Sequence, residues 1–286
     1  MGVRGAGENA EMMAIGGLRE LLETTPSLWL AAAFLVLQIL ACELGFLWHR
    51  RALRTHGDKH GAGEEMHVLA AALGLLALMI AFTFEMAQGR YEDRRGLVVE
   101  EANAIVQTYL QVQLLDNPGR DALSDELRNY IDVRLRYFSS SGDVAKIEAY
   151  DRDSEVMHVK VWDTMLRATA AQRDDPRVLL VAQPMARMID AQADRRSSRV
   201  ARVPAEVLTA LALYSIISAF TLGYIMGNER TRHRGTSTIL FLLTTVSILV
   251  TLDLDNSVSG GIQLSAEPLL SAREVLHTKF QAAETP

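Results

Sequence analysis

The sequence predicts an all-α polytopic membrane protein, with four transmembrane helices in a 2+2 arrangement around a helical extramembrane insertion. Two observations predict it. Residues 28–48, 68–87, 207–227 and 239–252 are apolar stretches that approach the ~20 residues needed to cross a bilayer as a helix. The long polar segment between the second and third shows no strand alternation and reads as helix interrupted by Pro and Gly. The chain is therefore read as an N-terminal tail (1–27), transmembrane helices 1 and 2 (28–88), the insertion (89–203), transmembrane helices 3 and 4 (204–254) and a C-terminal tail (255–286).

Bulk composition conceals this pattern. A mean hydropathy of +0.09 averages the spans with the charged insertion, and only a window near span length separates them. The net charge of −6 argues against nucleic acid as a partner, because phosphate binding needs a clustered positive field. The lipid bilayer is the expected partner. Cys42 is the single cysteine, which excludes an intrachain disulfide.

The first span is read as a retained helix. Ile39-Leu40-Ala41-Cys42 partly matches a lipoprotein cleavage box, but Glu8, Glu11, Glu20 and Glu23 stand where a signal peptide carries basic residues, and the apolar run continues past Cys42. Trp29 and Trp48 are 19 residues apart, about 28 Å along a helix, the separation of two interfacial aromatic belts. The short loops hold Arg50, Arg51, Arg54, Lys59, Arg230, Arg232 and Arg234, against Arg4, Arg19, Arg273 and Lys279 in the tails. The positive-inside rule then puts the short loops in the cytoplasm and the termini and insertion on the periplasmic side.

No proline occurs from 68 to 115, so the second span is expected to run on as one long rod. Val98, Ala102, Ile105, Tyr109 and Val112 follow the alternating spacing of a heptad seam along it. Asn117-Pro118-Gly119 ends the rod. Further helices are expected at 124–138, at 144–171 ahead of Asp174-Asp175-Pro176, and at 178–202, where Pro184 predicts a kink or restart. Pro204 suits the first turn of the third span.

Candidate functional residues follow from polar and small groups inside apolar runs. Ser215, Ala219, Gly223 and Gly227 recur every four residues, a ladder that lets another helix approach closely. Thr244, Ser247 and Thr251 form a polar stripe on the fourth span, which suits either a pore lining or hydrogen bonding within and between helices. Glu43, Glu85, Asp253 and Asp255 are carboxylates within about two turns of a span end, where an unpaired charge costs a few kcal/mol. Their natural partners include Arg90, Arg94 and Arg95. Glu85, Arg94, Arg95, Glu101, Asn103, Asp253 and Asp255 are accordingly read as a pore or charged collar.

His56, Asp58, His60, Glu64, Glu65 and His67 lie in a Gly-rich loop that reads as solvated, so no metal is expected. No nucleophile with a base, paired catalytic carboxylates or phosphate loop stands out; the chain is not expected to be an enzyme or to carry a cofactor.

The run RYEDRRGLVVEEANAI over 90–105, preceded by Phe82-Thr83-Phe84 and followed by Thr108-Tyr109-Leu110, resembles the bestrophin-like domain family of bacterial membrane proteins. Leu252-Asp253-Leu254-Asp255 and Glu267-Pro268-Leu269-Leu270 are similar to that family's ending. The chain departs from it at Glu85, Val106 and Gln111. The resemblance implies four spans in a bacterial inner membrane and kinship with pentameric anion channels, whose termini and large domain are cytoplasmic, opposite to the loop-charge reading. Two functions stay open: a homo-oligomeric bestrophin-like channel for ions, anions by this kinship, or a membrane-anchored sensor or assembly scaffold without transport.

Overall fold

The computed structural model describes residues 27–56, 62–140, 143–171, 174–227, 234–256 and 262–278. Among them are α1 (Ser27–His56), α2 (Ala62–Val112), α3 (Gly119–Phe138), α4 (Val144–Ala168), α5 (Pro176–Val200), α6 (Ala205–Met226), α7 (Arg234–Asp255) and α8 (Glu267–His277), with no strand among the described residues. Helices α1, α2, α6 and α7 are long and apolar enough to cross a membrane, in agreement with the expected all-α class and its four spans. The chain divides into two compact units, Met1–Gly89 with Arg202–Asn256, and Arg90–Ala201 with Ser257–Pro286.

In the first unit α1 and α6 meet almost backbone to backbone. A Cβ added at Gly45 would stand 2.0 Å from the Phe220 carbonyl oxygen, and one added at Gly223 would stand 1.9 Å from that of Cys42. Lipid chains are as apolar as Leu, so helices in a bilayer associate through close van der Waals contact, and small residues permit it. At one end of the contact the His49 ring meets Tyr224 edge-on at 4.6 Å. Helix α7 joins through Phe241, which packs with Ala41 and Ala219.

The second unit has its own apolar core. All five seam residues of α2 are buried there, with Leu123, Leu127 and Ile131 of α3, Val161 and Met165 of α4, and Val181, Met185 and Met188 of α5. The side chain of Asp143 caps α4 by accepting from the Lys146 N–H (3.1 Å), and Asp175 caps α5 by accepting from the Arg177 N–H (2.8 Å). Pro176 occupies the first turn of α5, where its missing N–H costs nothing.

Several boundaries differ from the sequence reading. Helix α3 starts at Gly119, directly after Pro118, and α4 stops at Ala168. Helix α5 runs unbroken through Pro184; an interior proline costs ~3 kcal/mol, and burial of Val181, Met185 and Met188 around it offsets that. The expected C-terminal tail contains α8, whose Leu269, Ala272 and Leu276 are buried at helical spacing. Arg128 Nε donates to the Leu276 carbonyl (2.9 Å) and Arg273 pairs with Asp132 (3.0 Å), anchoring α8 to α3.

Candidate functional site

The part of α2 in the first unit shows three faces, each holding one row of residues at helical spacings of three, four or seven. Leu69, Leu76, Thr83 and Ala87 are buried. Leu75, Leu78, Phe82 and Met86 are large, apolar and exposed. The third row is Ala70, Gly74, Ala77, Ala81 and Glu85, small residues ending in a carboxylate, all exposed. At 3.6 residues per turn the rows lie about a third of a turn apart. A Cβ added at Gly74 would meet no atom within 4 Å.

The other spans bury several of their polar groups. Gln38 is fully buried between α1, α6 and α7; its Nε2 donates to Ser215 Oγ (2.6 Å) and its Oε1 accepts from Thr245 Oγ1 (3.4 Å). Sequence reasoning passed over Gln38, although a lone amide in an apolar run is a usable signal. Of the ladder, Ser215 meets Gln38, Ala219 packs with Ala41, Gly223 faces the Cys42 carbonyl, and Gly227 faces the His49 ring. The hydroxyls of Thr244, Ser247 and Thr251 donate to the carbonyls of Leu240, Leu243 and Ser247, four residues back on their own helix. Glu43 pairs with Arg234 at 3.2 Å. Both Asp255 oxygens accept from the Val203 backbone N–H (3.0 and 3.1 Å), while Asp253 is half-buried.

Glu101 belongs to a buried polar cluster in the second unit. Its Oε1 accepts from Arg134 Nε (2.5 Å) and its Oε2 from Arg195 Nη1 (2.7 Å); Glu101 is 0% exposed and Arg134 1%. Arg134 also donates to Ser154 Oγ (3.0 Å), so residues of four helices join in one cluster. The guanidinium groups of Arg134, Arg195 and Arg199 lie 5.2, 4.6 and 5.6 Å from the Tyr137 ring, whose electron-rich face offsets part of their excess charge. Arg199 pairs with Asp151.

The Tyr130 hydroxyl lies 3.0 Å from His158 Nε2. Burial and the Arg134 charge lower the His158 pKa to about 4, while burial and the Glu101 carboxylate raise that of Tyr130. The two groups thus meet as a protonated phenol and a neutral imidazole. Of the remaining predicted residues, Arg94 is buried, and Arg95 and Asn103 are exposed. Asp58 and His60 of the Gly-rich loop lie outside the described residues.

Fold and site together define a multi-pass, all-helical membrane protein with a helical extramembrane unit. Two crystal structures of a bacterial Bestrophin homolog from Klebsiella pneumoniae, each of a point mutant, share its fold at 10% identity: one at TM-score 0.61, covering 85% of this chain and 96% of the other, one at 0.59, covering 87% and 97%. No curated protein matches the chain. The Bestrophin-like domain family model matches residues 36–269, and the chain belongs to that family.

Proposed function

We propose that the chain is a homo-oligomeric ion channel of a bacterial inner membrane, with α2 lining the pathway. The observation that carries this is the division of α2 into three faces. One row is covered by the protein itself and one is bulky and apolar, as lipid contact requires. The third row, Ala70, Gly74, Ala77 and Ala81, ends in Glu85, whose charge fits neither lipid nor a dry interface. A carboxylate desolvated without a partner costs several kcal/mol, and water in a shared lumen removes that cost. Membership of the Bestrophin-like family supports the reading.

The test is reconstitution into liposomes with a native-mass measurement. Ion flux above empty liposomes and a mass of several chains are expected. Gly74→Phe starts a side chain from a Cβ position that meets no atom of a neighbouring helix within 4 Å; the protomer should stay folded while flux falls by roughly tenfold or more through an apolar constriction. A second reading, a membrane-anchored sensor or scaffold without transport, draws on the self-contained core and polar cluster of the second unit. Lack of flux from folded, reconstituted protein would favour it.

A further inference from the structure

We propose that a cavity between α4 and α5 binds a small uncharged carboxamide, its carbonyl oxygen accepting from Gln192 and its N–H donating to Ser197. The cavity lies wholly in the second unit, and its occupancy is independent of transport. It measures about 490 Å³, within the ~300–1,000 Å³ of small-molecule sites. Gln192 lines it from α5 and is 4% exposed. Among the described residues the Gln192 Nε2 has no hydrogen-bond partner. A buried donor left unpaired is costly, and nearly all such groups in folded proteins are paired. The terminal torsion of a glutamine is soft, so its Nε2 turns readily toward an acceptor that enters the cavity.

The rest of the lining selects the ligand. Ile189, Gln192, Ala193 and Arg196 follow one another at helical spacing and share one face of α5, with Ile189 and Ala193 as its apolar part. Arg196 pairs with Glu155 of α4; both are half exposed, and each offsets the charge of the other. His158, the remaining titratable group of the lining, is neutral at pH 7, because burial and the Arg134 charge lower its pKa to about 4. No net charge is left to compensate a charged ligand for its lost hydration, which favours an uncharged one. Ser197 Oγ gives its hydrogen to the Asp194 carbonyl (2.8 Å), so it meets a ligand as an acceptor. An unpaired amide donor, a hydroxyl acceptor and two apolar side chains together match the carbonyl, the N–H and the short alkyl group of one carboxamide.

The experiment is ligand-observed saturation-transfer NMR on the full-length protein in detergent, with isobutyramide as the probe and empty micelles as the blank. The wild type should transfer saturation to isobutyramide, with a Kd on the order of millimolar for so small a ligand. Gln192→Leu keeps the size and removes the amide, and Ala193→Trp fills the cavity from an exposed position. Each should lower the signal by about fivefold or more. Isobutyrate, which has the same shape and a charge, should bind more weakly by a similar factor. Thermal stability near that of the wild type shows that a variant is folded; where Gln192→Leu lowers it, Ala193→Trp decides. No transfer to isobutyramide, undiminished transfer in the folded variants, or isobutyrate matching isobutyramide overturns the assignment. Ion flux tests the channel reading separately, and a failure of either leaves the other standing.

Discussion

Glu101 faces two guanidinium groups in a site closed to water, so its carboxylate is the counter-charge for both Arg134 and Arg195. Glu101→Gln keeps the shape and removes that charge. Stranding buried cations costs on the order of 3–5 kcal/mol, and the variant should show a large fall in Tm in thermal unfolding of the detergent-solubilised protein. An unchanged Tm would mean that the cations are compensated elsewhere. Beside this cluster His158 supplies a pH dependence. Its folded pKa of about 4 lies below the ordinary 6.5, so in that interval the unfolded chain binds a proton that the folded one refuses. Stability therefore rises with pH between these values and is lost on acidification, by on the order of 2–3 kcal/mol in total. His158→Gln keeps a polar partner for Tyr130 without titrating there, and the fall of Tm between about pH 6.5 and 4.5 should shrink. The sequence groups Glu101 with Arg94 and the other residues of a pore or charged collar, Arg94 lying seven residues before it. That spacing could not find its partners, which are 33 and 94 residues away.

At the scale of elements, the α1–α6 contact depends on the absence of side chains. Gly223→Leu puts a branched chain where even a Cβ would stand 1.9 Å from a backbone oxygen, and backbone cannot rotate away as a flexible side chain can. The expected loss is about 1–3 kcal/mol or more, read as a lower Tm. Gly74→Ala is the control, since its Cβ meets nothing within 4 Å and should leave Tm near the wild-type value. The four-residue interval from Ser215 to Gly227 was visible in the sequence because helical periodicity is local. Its counterpart on α1, Gln38, Cys42, Gly45 and His49, mixes residue types and offered no such regularity. Pro184 and α8 show the same limit. Propensity argued for a kink or restart at the first and a tail at the second; the helix does not restart at Pro184, and α8 forms where packing in the core favours it.

For the whole molecule, the loop charges predict termini outside the cytoplasm, seven basic residues in the short loops against four in the tails. Alkaline phosphatase fused after Pro286 should then be active in cells. An inactive phosphatase fusion with a fluorescent cytoplasmic reporter at the same site would place the termini inside, as kinship with pentameric channels implies. Four membrane-crossing helices, an all-α class and the seam of α2 could all be read from the sequence alone. Hydropathy and the 3.6-residue period act over ~20 residues or fewer, so a linear pattern records them completely. Tertiary structure alone decided that Gln38 reaches Ser215 and Thr245, 177 and 207 residues away, and that Glu101 holds Arg134 and Arg195. It also decided which face of α2 the protein covers and which it leaves open. A buried polar group bonds whatever packing brings within ~3 Å, and that depends on how each helix is rotated against its neighbours, which spacing along one chain does not encode.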